Sequence, residues 1–240
     1  MVFSGGKALP ADPPKTITAQ GAEIETVTSY KYLGITIDNN LSFKGHIEKL
    51  VSKCKLKLGF FFRNKSSFSR QVRDYLISTT FLPVLVYGDL LYTNAPDKHL
   101  KKLDSVYHCA LRFITGCGYG VHHCLLYAAA NRPSLSARRL SHWLLFVYKS
   151  VLGRLPFYLT TCLIRSSHHR GLRSQDFINM FVPRVRTELG KTAFKYAAPF
   201  SWNSFQTVLK LTELVTIGEF KSLLRDRERA SFGKCDCFNS

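Results

Sequence analysis

The side chains best suited to metal chemistry lie between positions 117 and 124. Two thiols and two imidazoles are gathered there: Cys117, His122, His123 and Cys124. A structural zinc site needs four ligands that converge, usually supplied as close pairs such as Cys-x-x-Cys. The spacing here is irregular, which favours buried thiols and hydrogen-bonded imidazoles. We therefore predict no metal site, and these four residues are the candidates should a metal bind.

Nucleophilic catalysis is a second chemistry that thiols and imidazoles can perform together. A catalytic cysteine needs a histidine as its base, an acidic group that orients this histidine, and a pocket for the oxyanion. The sequence around positions 117–124 indicates neither the acidic group nor the pocket. We therefore do not predict a hydrolase.

The charge of the chain indicates a polyanionic partner. There are 34 lysines and arginines against 16 aspartates and glutamates, which gives a formal charge of +18 and a pI near 9.8. Such an excess disfavours a compact fold unless a polyanion neutralises it. The aromatic content of 13% and the spread of the basic residues along the chain favour a folded nucleic-acid-binding surface. We predict RNA and DNA as partners and no membrane, because the sequence has no apolar stretch of about 18 residues.

Cysteine usage indicates the compartment. The seven cysteines are an odd number in a long chain, and no basic start with an apolar core of the signal-peptide kind precedes them. Reduced thiols are therefore expected. We predict an intracellular protein, in the nucleus or the cytoplasm.

The N-terminal part combines strands with a basic helix. Residues 16–27 predict a short hairpin, and residues 30–38 alternate apolar and polar side chains as a strand does, with Gly34 as a bulge or a point of close approach. From Ser42, a possible N-cap, apolar residues recur every three or four positions to residue 62. The opposite face of this helix carries lysines: Lys49, Lys53, Lys55 and Lys57.

Most of the remaining chain has helical periodicity. Helices are predicted at residues 69–82, 96–115, 138–152 and 217–229. The first three end at Pro83, Gly116 and Gly153, and the fourth begins at the capping-box pair Thr216 and Glu219. Residues 181–187 contain a proline and predict an edge strand. The predicted fold class is mainly α, a helical bundle and a C-terminal helical region with a small N-terminal β-element.

A series of short motifs gives these elements a family resemblance. It begins with the Tyr-Leu-Gly strand at residues 32–34 and the Leu-Ser-Phe sequence at residues 41–43. It continues with ALRFITG at 110–116, HHCLLY at 122–127, RRLSHW at 138–143, GRLPFYL at 153–159, RTELGK at 186–191, and Ala-Pro and Trp-Asn at 198–199 and 202–203. In order and spacing, this set resembles the C-terminal part of jockey-like reverse transcriptases of non-LTR (LINE-type) retrotransposons.

The resemblance implies a polymerase fragment without its catalytic centre. It assigns residues 1–40 to a palm remnant with the primer-grip strand, 41–116 to a helical thumb-like domain and 117–240 to a basic C-terminal region, and it places residues 1–3 just after the catalytic turn. The family's Asp-Asp box lies upstream of that point, and the sequence has no Asp-Asp pair. Polymerases use such aspartates to hold two metal ions. We therefore expect no catalytic residue and no cofactor in this chain, whereas the parent polymerase would use magnesium.

The resemblance also implies where nucleic acid binds. Tyr32, Leu33 and Gly34 fall where the family positions the primer end, and a tyrosine face can stack on a base. The predicted phosphate contacts, which would release counterions, are Lys49, Lys53, Lys57, Lys101, Lys102, Arg112, Arg138 and Arg139. The competing interpretation is that the tyrosine is an ordinary strand residue and that the basic side chains form solvated helix faces.

Three functions remain open at this point. The first is the reverse-transcriptase fragment, which would bind template–primer or element RNA without polymerising DNA. The second is a stand-alone structural module that binds nucleic acid, with or without zinc. The third is a non-functional remnant of a decayed element, for which the genomic sequence upstream of Met1 would be informative.

Overall fold

The computed structural model describes residues 16–166 and 177–230. The stretch predicted to follow the catalytic turn, residues 1–3, lies outside them. Within the described residues the chain is mainly helical with two small antiparallel sheets, which confirms the predicted fold class. Contacts divide these residues into unit 1, which ends at Arg132, and unit 2, which begins at Pro133. The boundaries after residues 40 and 116 stay predictions.

Two hairpins make up the β-element of unit 1. The strands are β1 (Thr16–Ile17), β2 (Glu23–Ile24), β3 (Ser29–Tyr32) and β4 (Ile35–Asp38). β1 pairs with β2, as predicted, and β3 pairs with β4. The prediction of one strand over residues 30–38 is therefore wrong. Leu33 and Gly34 form a two-residue turn with φ of 46° and 85°, and two such residues reverse the chain as a type I′ turn does.

The connection from β4 to the first helix, α1 (Lys44–Arg63), is organised by a carboxylate. Asp38 accepts hydrogen bonds from the backbone N–H of Ser42 (3.0 Å), the Ser42 hydroxyl (2.8 Å) and the backbone N–H of Phe43 (2.7 Å). The prediction of Ser42 as N-cap is wrong, since Phe43 occupies that position with φ of 53° and no side-chain cap. The Ser42 hydroxyl donates to Asp38 and also accepts from the backbone N–H of Lys44 at 3.3 Å, so the carboxylate and this hydroxyl together fix the angle between strand and helix.

The other helices of unit 1 enclose its core. They are α2 (Arg70–Leu76), α3 (Leu82–Leu85), α4 (Asp97–Thr115) and α5 (His123–Ala130). A helix was predicted to stop at Pro83, but a π-helical turn at Ile77–Phe81 carries α2 directly into α3. Proline removes one helical N–H and crowds the preceding turn, and the wider turn accommodates both effects. α1 packs on α4, where the rings of Phe61 and Phe113 stack with centroids 5.6 Å apart.

Unit 2 has its own core. Its helices are α6 (Leu135–Val151), α7 (Phe157–Thr160), α8 (Glu188–Thr192), α9 (Phe194–Leu209) and α10 (Ile217–Ala230). Fully buried Trp202 lies among the rings of Tyr148 and Phe220. The capping box that begins α10 is present as predicted, because Thr216 and Glu219 exchange hydrogen bonds.

The predicted edge strand at residues 181–187 is wrong. Among the described residues nearby, the β-pairing is a single isolated bridge between Arg165 and Met180. The Asn203 side chain bonds both backbone groups of Met180, at 2.8 Å to its N–H and 2.7 Å to its carbonyl. A side-chain amide from α9 therefore satisfies both backbone groups of Met180, while the backbone N–H of Phe181 still donates to the Ile164 carbonyl at 2.8 Å.

Candidate nucleic-acid interface

A groove in unit 1 brings the hairpin of β3 and β4 together with α1 and with the chain that follows α3. Its volume is about 950 Å³, and we call it the hairpin groove. The hairpin contributes Lys31, Gly34 and Thr36, α1 contributes His46, Glu48, Lys49 and Lys53 among others, and Pro83, Val84 and Tyr87 come from α3 and beyond.

Three lysines make the hairpin groove positive. Lys49 and Lys53 are exposed and lie on one face of α1 because they are four positions apart. Lys31 is exposed on β3. The acidic lining residue Glu48 is neutralised by Lys102 of α4, whose ammonium lies 2.8 Å from its carboxylate. The charge of the groove therefore favours an anionic ligand.

An aromatic side chain ties the hairpin turn to the rest of the groove. The Tyr87 hydroxyl donates a hydrogen bond of 2.6 Å to the carbonyl of Leu33. A Cβ added to Gly34 would lie 3.5 Å from this ring, which is ordinary van der Waals contact, so the glycine is required here by its φ of 85° rather than by space. Tyr32 and Leu33 remain 60% and 73% exposed beside the groove, where a base could stack.

His46 lies at the base of the hairpin groove as a neutral group. Its side chain is 6% exposed, and the backbone N–H of Thr36 approaches its Nδ1 at 3.5 Å. Burial lowers the pKa of His46, and the charges of Lys53 and Lys49 lower it further. The positive charge of the groove therefore comes from its lysines and not from this imidazole.

The other predicted phosphate contacts are distributed differently. Lys57 is half-buried, Lys101 is exposed on α4, and neither lines the hairpin groove. Arg112 lies with its guanidinium 5.4 Å from the Tyr119 ring and donates to the carbonyls of Gly118, Tyr119 and Val121 at 3.3 to 3.4 Å. Its donors therefore hold the loop after α4.

The predicted arginine pair belongs to unit 2. Arg138 is half-buried on α6, and Arg139 is only 7% exposed. The structure thus places one predicted contact inside the packing of unit 2. Neither arginine lines the hairpin groove.

Lys31 and Tyr87 are the main groove residues that were not predicted from the sequence as site residues. Lys31 follows from strand alternation only once the hairpin register is known, because its neighbours in β4 decide which face it occupies. Tyr87 is 54 positions from Leu33, and nothing in the local sequence indicates their hydrogen bond.

The candidate metal ligands divide into a cluster and an outlier. One ligand atom from each of His122, His123 and Cys124 lies within 4.8 Å of the others, whereas Cys117 is not part of this group. The neighbouring His108 forms a 2.6 Å hydrogen bond between its Nε2 and the Tyr127 hydroxyl. Burial lowers the pKa of His108 to about 4, with His123, Arg112 and His122 contributing, so its imidazole is neutral near pH 7.

None of the helices in the described ranges is both long enough and apolar enough to cross a membrane.

Comparison with known proteins finds curated relatives over about half of the chain. The RNA-directed DNA polymerase from the mobile element jockey of Drosophila melanogaster is 32% identical over 105 residues, which are 42% of this chain and 11% of that protein. Probable RNA-directed DNA polymerases from transposons of the same species are 24% (X-element) and 25% (BS) identical, over 48% and 52% of this chain and 13% and 14% of those proteins. The chain thus matches curated relatives over only a small part of their length. No protein-family model matches the chain, and no solved structure matches it.

Proposed function

We propose that this chain, which is related over about half of its length to the reverse transcriptases of jockey-like non-LTR retrotransposons, binds nucleic acid in the hairpin groove. The observation that carries the proposal is the convergence of Lys31, Lys49 and Lys53 on one groove of about 950 Å³. Each lysine can neutralise one phosphate and release its counterion. The ligand is a template–primer duplex or the RNA of the element.

The aromatic residues at the hairpin turn suit such a ligand. Tyr32 on the hairpin and Tyr87, which lines the groove and is hydrogen-bonded to the hairpin turn, are both more than half exposed. Stacking on aromatic rings is tolerant of sequence because every base has a π-face. Lysines for the backbone and tyrosines for the bases favour binding that depends little on nucleotide sequence.

We further propose that the chain binds without catalysing polymerisation. Two-metal chemistry requires clustered carboxylates, and the sequence has no Asp-Asp pair. Asp38, the acidic residue nearest in sequence to the hairpin turn, already accepts three hydrogen bonds at the start of α1. Catalytic aspartates and their magnesium would have to come from other polypeptide.

The test is a groove variant with three neutral side chains, Lys31→Gln/Lys49→Gln/Lys53→Gln. We expect its affinity for a labelled RNA–DNA duplex, measured by fluorescence anisotropy, to fall by about 10²-fold near 0.1 M salt, since each phosphate contact is worth somewhat less than a factor of ten there. The slope of log Kd against log salt should decrease by about 2 to 3.

A matched variant separates the hairpin groove from net charge. Lys98→Gln/Lys195→Gln/Lys221→Gln removes the same charge from exposed lysines that do not line the groove. Its affinity should change by less than about threefold, because these lysines do not line the groove and the proposed binding mode gives them no phosphate contact. Equal losses in the two variants, or wild-type binding that does not depend on salt, would overturn the proposal.

A further inference from the structure

A second cluster of chemically active side chains lies at the start of α5, outside the hairpin groove. His122 is the N-cap residue of α5, and His123 and Cys124 are its first two helical residues. Their imidazole nitrogens and thiol sulfur lie within 4.8 Å of one another. The rings of His122 and His123 have centroids only 4.1 Å apart. Cys124 is buried, with 8% of its surface exposed.

We propose that His122, His123 and Cys124 bind one transition-metal ion, with Zn²⁺ as the natural occupant. Two imidazoles and a thiolate are the donors that Zn²⁺ prefers, at about 2.0 to 2.3 Å from the ion. Tetrahedral geometry at those bond lengths puts ligand atoms about 3.5 Å apart. Small side-chain rotations therefore bring the three donor atoms from within 4.8 Å of one another to the distances of a bound ion.

The chemistry of the donors also defines what the site excludes. Mg²⁺ requires oxygen ligands in octahedral geometry, which two nitrogens and a sulfur do not supply. The site is therefore independent of the magnesium that a polymerase uses, and the inference does not rest on the proposed function. When Zn²⁺ binds, the Cys124 sulfur releases its proton to solvent and a zinc–sulfur bond forms. A water molecule completes the fourth position.

A layer of side chains behind the cluster orients one of the ligands. The His108 ring stacks on His123 with centroids 5.4 Å apart and an angle of 14°. Tyr127 meets His123 edge-on at 5.8 Å and is itself hydrogen-bonded to His108. Burial and the charge of His122 lower the pKa of His123, and the charge of Asp104 partly opposes this lowering. The two ring contacts restrict the orientation of the His123 imidazole.

The inferred metal site differs from the prediction of no metal site that was drawn from the irregular spacing. The sequence offered four candidate ligands, but Cys117 lies outside the group that the structure brings together. Arg112 holds the backbone of the intervening loop at Gly118, Tyr119 and Val121. The ligand set is therefore the three consecutive residues, and Cys117 provides a control within the same region.

Cobalt provides the test, because Co²⁺ bound by thiolate absorbs through sulfur-to-metal charge transfer. The full chain is stripped with a chelator and titrated with Co²⁺ and then with Zn²⁺, in a Cys235→Ser/Cys237→Ser background that removes the C-terminal thiols. We expect one equivalent of Co²⁺ to give the charge-transfer band and Zn²⁺ to displace it. Cys124→Ser should abolish the band, and His123→Asn should weaken Zn²⁺ binding by at least tenfold.

The controls decide between ligand sets. Cys117→Ser and Cys162→Ser should retain the band and the affinity for Zn²⁺, with helix content checked for every variant by circular dichroism. A band that is absent from the parent protein, that survives in Cys124→Ser, or that disappears in Cys117→Ser would overturn the proposal. Nucleic-acid binding measured on the same samples shows whether the hairpin groove fails separately.

Discussion

Trp202→Ala is expected to lower the free energy of unfolding by about 3 to 5 kcal/mol, the usual cost of truncating a buried tryptophan. The indole is fully buried, and its ring centroid lies 5.7 Å from that of Tyr148 and 6.1 Å from that of Phe220. Its Nε1–H donates a 2.6 Å hydrogen bond to the Ile178 carbonyl. The substitution leaves a cavity in the centre of unit 2, and urea unfolding followed by far-UV circular dichroism measures its effect.

Two further variants provide reference values for the loss of stability in Trp202→Ala. Trp202→Phe keeps an aromatic ring but loses the Nε1–H donor, while the Gln206 amide still donates to the Ile178 carbonyl at 3.0 Å. It should therefore cost less than the alanine variant. Phe157→Ala removes a ring that is 80% exposed and should change stability by less than about 0.5 kcal/mol. If Trp202→Ala and Phe157→Ala were equally stable, the indole would not be the centre of this core.

Helices whose ends are determined by nearby residues could be predicted from the sequence. α4 was predicted closely because Pro96 precedes it and Gly116, with φ of 78°, ends it. α10 was predicted from Thr216 and Glu219, whose capping box depends on residues three positions apart. In both cases the signals that begin or end a helix lie within one turn of its end.

The sequence did not predict backbone conformations that are unusual for the residue types that adopt them. Leu33 adopts φ of 46°, a value that is unusual for leucine, and the hairpin of β3 and β4 depends on it. Leu41 and Phe43, at the junction with α1, likewise adopt positive φ values, of 54° and 53°. An alternating pattern indicates strand residues but not where the chain reverses, so one long strand and a hairpin were equally compatible with it.

Partners distant in sequence explain what was and was not predicted in the candidate site. Lys49 and Lys53 were identified because helical periodicity alone puts them on one face. Lys102 resembled them in sequence, but tertiary packing brings its ammonium to Glu48, 54 positions away. Arg112 likewise donates to backbone carbonyls of the loop that follows α4. A lysine or arginine pattern identifies candidates, whereas the fold decides which remain available to a ligand.

The second large effect is expected for Asp38→Ala, which should destabilise the protein by about 2 to 3 kcal/mol and weaken nucleic-acid binding in the hairpin groove. The carboxylate accepts three hydrogen bonds from Ser42 and Phe43, and bonds to a charged acceptor are each worth more than neutral ones. Without them the angle between β4 and α1 is no longer fixed. Lys31 on the hairpin and Lys49 on α1 then lose the relative orientation on which the proposed binding of a phosphate backbone depends.

The pH dependence of Asp38→Asn distinguishes this carboxylate from one that merely packs well. Burial raises the pKa of Asp38, but the hydrogen bonds from Ser42 and Phe43 lower it more, so the pKa in the folded state is below the usual 3.8. As pH falls, the unfolded chain takes up the proton first, and the stability that Asp38 contributes is complete above the usual pKa and lost as pH falls through the folded one. The stability advantage of wild type over Asp38→Asn should therefore be constant near pH 7 and shrink below about pH 4.

Asp226→Ala, at a carboxylate that is 66% exposed, is the control and should cost less than about 0.5 kcal/mol. If the stability advantage of wild type over Asp38→Asn persisted unchanged to pH 2, the effect of Asp38 would come from the shape of its side chain and not from its charge.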